Sequence, residues 1–231
     1  KNILRRAKLL VWELSNGKAL TIHLKMTGQL VLRQKLSTNP EPVEGLVYPG
    51  KDINSRVAFY LSDGKSIDFN DQRLFGELRL LDDWQSLEFI RSLGPEPVDL
   101  DLRQFQEMLA GKKAKIKPLL MDQKFISGIG NLYAAEILFR ARIHPERLAG
   151  SLADQEKELL FKAINDILNA AIRYGGSSVD DYVRLSGKQG EYAQFHKAYG
   201  RNGQPCLTCK TIIKRISQGG RGTYFCPKCQ K

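Results

Sequence analysis

The first third of the chain changes between apolar and polar positions on a two-residue period. "KLLVWEL" and "KALTIHL" flank "SNG", an Asn-Gly hairpin signal, and "RVAFYLSDGKSIDF" repeats the arrangement with Asp63-Gly64 at its turn. Residues 8–81 therefore read as strands, an all-β half. Within them "STNPEPVEGLVYPGKDIN" has no periodicity and several prolines and glycines, so a long surface loop or insertion is expected there. "LGPEPVD", residues 93–99, breaks the pattern with two prolines and reads as an interdomain linker. After it the period lengthens to that of a helix. "LRQFQEMLAG" is a short helix ended by Gly111, and "NLYAAEILFRARI" sets Leu132, Ala135 and Leu138 on one face. "SLADQEKELLFKAINDILNAAIRYGG" is a long amphipathic helix stopped by Gly175-Gly176. No internal repeat or low-complexity segment interrupts this order.

Composition narrows the picture. A chain of 231 residues with 42% apolar residues can build two small domains, and no apolar run approaches the about 20 residues of a membrane span. The formal net charge is +11. After Glu191 there is no acidic residue, while Lys197, Arg201, Lys210, Lys214, Arg215, Arg221, Lys228 and Lys231 are all basic, so a polyanionic partner is expected. All four cysteines fall in one short stretch, which suits a metal site in a reducing compartment and hence the cytoplasm.

Those cysteines, Cys206, Cys209, Cys226 and Cys229, form two Cys-x-x-Cys pairs. Two tight turns that each offer two sulfurs suit a tetrahedral ion, and four protein ligands leave no open position. Structural zinc is the expectation, with an iron–sulfur centre or paired disulfides as the alternatives. His23, His144 and His196 have no ligand spacing and read as packing or hydrogen-bonding residues. Between the pairs, "TIIKRI" and "TYFC" are strand-like and Gln218–Gly222 reads as a turn. The expected hairpin would carry Arg221 on a glycine-lined tip, where its guanidinium can meet a phosphate. Upstream, Gly128, Gly130 and Asn131 in "ISGIGNLY" read as a close-approach turn in which Asn131 caps the following helix and open N–H groups await an anion. Lys117 adds a charge within reach of the same anion.

The order of these three pieces, a β half, then "LGPEP" with "IKPLLMDQKFISGIGNLYAAEILFRARIHP", then "YGRNGQPCLTCKTIIKRISQGGRGTYFCPKCQK", resembles the bacterial formamidopyrimidine-DNA glycosylase family over nearly the whole chain. The resemblance implies an α+β fold. An incomplete antiparallel β-sandwich-like domain with base-insertion loops would occupy 1–92, a helix–two-turns–helix domain with a lesion-capping loop 93–200, and a β-hairpin zinc finger 201–231. It implies base-excision repair of oxidised purines, 8-oxoguanine and formamidopyrimidines, with strand cleavage at the abasic site. The partner would be double-stranded DNA bearing such lesions or abasic sites, the protein a monomer acting at the bacterial nucleoid.

Residue by residue, the resemblance makes Asn131, Lys117 and Arg221 phosphate contacts. It makes Met26, in "HLKMTGQL", and Arg73 and Phe75, in "FNDQRLFGEL", the groups that fill the hole left by an extruded base. Their chemistry suits the task, since Met and Phe are apolar wedges and Arg can pair with an orphaned cytosine. Leu74 stands where many members carry a second arginine. Lys8 matches a family lysine near the active site with a backbone phosphate as its partner, and residues 185–201 match the loop over the flipped purine, with Glu191 where an aromatic is frequent. Two other readings share the pattern: the endonuclease VIII family for oxidised pyrimidines, against which Met26 and the Arg73–Phe75 loop argue, and a non-catalytic zinc-finger module that binds damaged DNA.

In the family, catalysis starts from an amino-terminal proline, whose amine attacks the sugar C1′, and the glutamate after it. This sequence opens "KNILRRAKLL", and its first proline is Pro40. The expectation is an N-terminally truncated fragment, inactive alone, whose catalytic residues cannot be named from the residues present.

Overall fold

The computed structural model describes residues 1–33, 54–179 and 182–231, which form two compact units, Lys1–Gln85 with Ala171–Gln194 and Ser86–Ala170 with Phe195–Lys231. The insertion expected at 37–54 lies, up to residue 53, outside the described residues.

Among the described residues the first unit holds seven strands: β1 (Asn2–Arg6), β2 (Leu9–Glu13), β3 (Ala19–His23), β4 (Gly28–Arg33), β5 (Ser55–Tyr60), β6 (Ser66–Asp71) and β7 (Glu77–Leu81). They make a four-stranded sheet in the order β1-β2-β3-β7 and a three-stranded sheet in the order β4-β6-β5, antiparallel throughout. The Asn16-Gly17 and Asp63-Gly64 turns fall where expected, closed by Leu14 N–H to Lys18 O and by Leu61 N–H to Lys65 O. Strand β1 lies before residue 8, where no strand was expected; "NILRR" is almost wholly exposed and carries no alternating burial for a period to reveal. Alternation elsewhere has its usual cause. Leu9, Val11, Ala19 and Ile22 from one sheet and Val31 and Phe69 from the other are buried, and the rings of Trp12 and Phe59 meet edge-on with centroids 5.1 Å apart. The segment after the long helix belongs to this unit as well, with Leu185 O accepting from Leu32 N–H at 2.7 Å.

The second unit is built on α1 (Glu88–Arg91), α2 (Leu102–Leu109), α3 (Ile116–Met121), α4 (Asn131–Ala141) and most of α5 (Asp154–Arg173), with the hairpin β8 (Lys214–Gln218) and β9 (Arg221–Phe225). Helix α2 opens on a capping box, Asp101 accepting from Gln104 N–H while the Gln104 side chain accepts from Asp101 N–H. Helix α4 is buried from Ala134 to Phe139 without a break, the mark of a helix covered on all sides. "LGPEPVD" is not a free linker. Gly94, Glu96 and Pro97 are buried, Gly94 N–H donates to Gln123 O, and Pro95 O accepts from Ser127 N–H at 2.9 Å. Pro97 opens a 3-10 turn, Pro97–Asp99, and the residues before it are held against the turn after α3, so backbone bonding rather than solvent fixes the segment. Among the described residues no helix is long and apolar enough to cross a membrane.

Candidate nucleic-acid interface

In the second unit, three residues far apart in sequence converge. Lys117 on α3 is 1% exposed, and its Nζ donates to Asn131 Oδ1 at 2.6 Å and to Thr223 Oγ1 at 2.8 Å. Asn131 Nδ2 in turn donates to Gly222 O at 3.1 Å. The network joins the start of α4 to β9, immediately beside Arg221. Burial first, then the Arg221 guanidinium, bring the Lys117 ammonium down to about 8. Arg221 is exposed and Asn131 partly so, so these two present polar groups to solvent while Lys117 supplies charge behind them.

Two local expectations change. Gly130, not Asn131, is the N-cap of α4, and no side chain caps it. Asn131 is the first helical residue; its Oδ1 accepts from Lys117 and one Nδ2 hydrogen goes to Gly222 O, which leaves the second for a ligand. The turn before it is held by another side chain, Gln123, which donates to Met121 O and Ile129 O and accepts from Gly128 N–H. The finger turn is also tighter than Gln218–Gly222. Gly219 and Gly220, at φ +57° and +72°, form a two-residue turn, and Arg221 begins β9 opposite Gln218. Two successive positive φ values are what a right-twisted hairpin asks of such a turn, and the Gly-Gly pair meets the demand without strain.

The four cysteine sulfurs lie within 4.8 Å of one another, with Cys206–Cys229 at 3.9 Å and Cys209–Cys226 at 3.4 Å. A tetrahedral zinc with bonds of about 2.3 Å needs sulfur–sulfur edges of about 3.8 Å, which this cage supplies. Disulfides are ruled out as the arrangement, since all four thiols are free. A cage this small holds one ion rather than a multi-iron cluster. The four cysteines are positioned to bind one zinc ion. Around them Phe139 of α4, Ala198 and Ile213 are buried in the same cluster. The chain entering the finger is pinned by Glu136, 2% exposed, whose carboxylate accepts the N–H groups of Lys197, Ala198 and Tyr199 at 2.8–2.9 Å. Sequence pattern did not single out Glu136 or Thr223. A glutamate inside an otherwise apolar run, "AAEILF", was the available signal for the first; Thr223 carries none.

In the first unit, Lys8 sits on the two-residue turn between β1 and β2, and it lines a cavity of about 620 Å³ together with Trp12, His23, Lys25, Met26 and Leu185. Lys8 and Met26, predicted from separate motifs, are thus brought to one concavity. His23 also lies in this wall, where its Nδ1 accepts Lys25 N–H at 2.9 Å, and burial followed by the Lys25 charge lowers its pKa. Met26 is 62% exposed on the turn between β3 and β4. Arg73 and Phe75 stand on the exposed loop between β6 and β7, the guanidinium carbon 4.9 Å from the ring centroid. His144 packs edge-on against Phe225 at 4.5 Å, and His196 faces Tyr199. Of the 185–201 loop, Tyr192–Phe195 forms a 3-10 turn and the Glu191 carboxylate lies 3.6 Å from Arg184.

Comparison with known proteins agrees with this architecture piece by piece. The formamidopyrimidine-DNA glycosylase N-terminal domain matches residues 1–78, the H2TH domain of the same glycosylase 93–183, and the zinc finger found in FPG and IleRS 203–231. The formamidopyrimidine-DNA glycosylase of Pelotomaculum thermopropionicum is 42% identical over 231 residues, covering 98% of this chain and 79% of the relative. That of Bradyrhizobium sp. strain BTAi1 is 40% identical over 242 residues, covering 98% and 82%. Among solved structures, Lactococcus lactis Fpg bound to abasic-site DNA superposes with a TM-score of 0.86 at 34% identity, covering 100% of this chain and 82% of that one. MutM in complex with DNA containing carbocyclic 8-oxo-G gives 0.84 at 36%, covering 100% and 81%. The chain belongs to the formamidopyrimidine-DNA glycosylase family.

Proposed function

We propose that this chain serves DNA base-excision repair by binding duplex DNA that carries oxidised purines, 8-oxoguanine and formamidopyrimidines, for the bifunctional glycosylase and AP-lyase chemistry of its family. The observation that carries the reading is the convergence of Lys117, Asn131 and the Arg221 hairpin on one corner, a set of donors and charges suited to a DNA backbone phosphate. The solved relatives with abasic-site, Fapy-dG and 8-oxo-G DNA support the same substrate class.

The roles divide by chemistry. Asn131 and Arg221 grip phosphates, with Lys117 behind both, and Lys8 takes a further phosphate at the cavity in the first unit. Met26 and Phe75 wedge into the stack where the damaged base leaves it, and Arg73 pairs with the widowed base opposite. Zinc, held by Cys206, Cys209, Cys226 and Cys229, supplies the fixed frame of the finger and no open coordination position. In this division residues 1–92 insert, 93–200 grip and cap the lesion, and 201–231 complete the grip. The place of action is the bacterial cytoplasm, at the nucleoid.

The test is fluorescence anisotropy on four duplexes: one with a tetrahydrofuran abasic analogue opposite cytosine, one with 8-oxoguanine, one with an oxidised pyrimidine and one intact. Tighter binding to the abasic and purine-lesion duplexes is expected, with log affinity falling linearly against log salt. Equal affinity for all four would sink the reading.

A further inference from the structure

The turn that carries Met26 joins β3 to β4 and the loop that carries Arg73 and Phe75 joins β6 to β7; because β3 pairs with β7 and β4 with β6, the two connections lie side by side, and one buried carboxylate ties them together. Asp71, the last residue of β6, is 1% exposed. Its Oδ1 accepts from Thr27 Oγ1 at 2.5 Å, 44 positions away, and from Arg73 N–H at 3.3 Å. Its Oδ2 accepts from Gly76 N–H at 2.6 Å. Arg73 N–H is shared with Thr27 Oγ1 at 3.1 Å, so the hydroxyl, the carboxylate and this amide form a closed triangle. Thr27 directly follows Met26 and is 8% exposed.

Burial would raise the Asp71 carboxyl, but hydrogen bonds from Thr27, Gly76, Arg73 and Leu74 outweigh it and hold the group below the usual carboxylate value. Ionised, it can only accept, which suits a hub that collects donors from two chain segments. Gly76 closes the loop on this hub. A Cβ there would lie 2.4 Å from Phe69 Cζ and 2.9 Å from Asp71 Oδ2, so only glycine brings its N–H this close. A carboxylate serving its own loop alone would need only the amides of residues 73–76; the Thr27 bond reaches a different turn, the one that presents Met26.

We propose that Asp71 and Thr27 are positioning residues that lock the Met26 turn and the Arg73–Phe75 loop into one rigid part, so that the preference for damaged over intact DNA depends on this lock. The proposal rests on the reading of Met26, Arg73 and Phe75 as the groups that fill a vacated stack. With the lock intact, wedge and pairing arm enter at a fixed spacing, and the entropy of ordering two separate loops is not lost on binding.

Thr27→Val keeps the side-chain shape and removes the hydroxyl, and Thr27→Ser keeps the hydroxyl. Amide hydrogen exchange over residues 72–76 and the ratio of affinities for abasic-analogue and intact duplex are measured on parent and both variants. Thr27→Val is expected to speed exchange in that window and to lower the ratio about tenfold, the scale of one lost charge-assisted hydrogen bond, with Thr27→Ser restoring both. Parental exchange in Thr27→Val overturns the lock whatever the DNA result. Faster exchange with an unchanged ratio overturns its role in recognition. A parent that itself shows no preference is a separate outcome, which overturns the functional reading and with it the claim about recognition, while the exchange data still judge the lock.

Discussion

In the hairpin region a fully buried lysine joins Asn131 to Thr223, the finger is framed by four sulfurs, and the two-residue turn uses glycines at both positive φ positions. In the β unit Met26 and Phe75 stand 62% and 52% exposed, and the loop beside them runs through Leu74 at φ +59°, with Asp71 as its anchor. The first region relies on polar groups taken out of water and satisfied; the second leaves apolar groups in water and holds them from beneath. On the proposed reading the first region grips phosphate, and a grip needs donors aimed in advance, because a flexible donor repays its ordering entropy on every encounter. On the same reading Met26 and Phe75 are wedges whose apolar surface is covered only when DNA arrives, so they have to be exposed beforehand, and their precision comes from the frame that carries them. The contrast suggests where each region breaks.

Loss of the metal is expected to break the grip most severely. The sulfur cage is the frame around which Phe139, Ala198 and Ile213 pack, and small finger units lose their fold without the ion. Fresh protein should hold one zinc per chain by metal analysis. Cys226→Ser should lose that zinc and reduce duplex affinity by at least about a hundredfold, since the Arg221 hairpin and its neighbouring charges go together. The seven strands of the first unit should survive, seen as retained β-sheet circular dichroism, because none of the cysteines lies in it.

Lys117→Met comes next. It leaves Asn131 Oδ1 and Thr223 Oγ1 without the ammonium that serves both, and should cost about 2–4 kcal/mol of stability in chemical denaturation of the second unit. It also tests charge. The parent lysine titrates at about 8 in the free protein. A nearby phosphate favours the ammonium and raises that value, so around this pH the complex holds more protons than the free chain. Affinity should therefore fall as pH rises from about 7 to about 9, while in Lys117→Met this component of the fall should be absent. A parental pH profile in the variant would show that Lys117 is only a strut.

What could be read before folding separates along the same line. The hairpins at Asn16-Gly17 and Asp63-Gly64, the long helix ended by Gly175-Gly176 and the metal cage were legible, because each is encoded by neighbours or by a spacing within one short stretch. Lys117 and Asn131 were read as meeting one anion and Arg221 as a hairpin-tip contact, yet nothing local says that the lysine is buried or that the asparagine amide bonds to β9 rather than capping its own helix. The packing of "LGPEP" against the turn after α3 and the Glu136 clamp on Lys197–Tyr199 were equally silent. Prolines mark where a chain bends, not whether the bend is buried, and a charged residue in an apolar helix does not announce which amides it will meet.

Smaller effects sharpen the comparison within the grip. Arg221→Ala and Asn131→Ala should each weaken binding to abasic-analogue DNA by about 1–3 kcal/mol. They should differ in salt response. Arg221 is exposed and charged, so its loss should flatten the slope of log affinity against log salt by about one, whereas loss of the neutral Asn131 should leave the slope alone. Equal slopes in parent and Arg221→Ala would remove the arginine from the set of phosphate contacts.

The smallest effect expected lies in the wedge loop. Leu74 holds φ +59° with a side chain 66% exposed, so it bears the penalty of a left-handed conformation while burying little in return. That penalty is about 1–2 kcal/mol for an ordinary residue, and glycine avoids it at the cost of about 0.5–1 kcal/mol of extra unfolded-state entropy. Leu74→Gly should therefore stabilise the first unit slightly, by about 0.5 kcal/mol, visible as a small rise in the denaturation midpoint. If Asp71 and not the Leu74 side chain orders the loop, amide exchange at residues 73 and 76 should stay at the parental rate in this variant, because their N–H groups keep the same carboxylate. A destabilised protein with faster exchange across the loop would show instead that the exposed leucine orders it, and the wedge would then owe its geometry to its own surface rather than to the frame beneath.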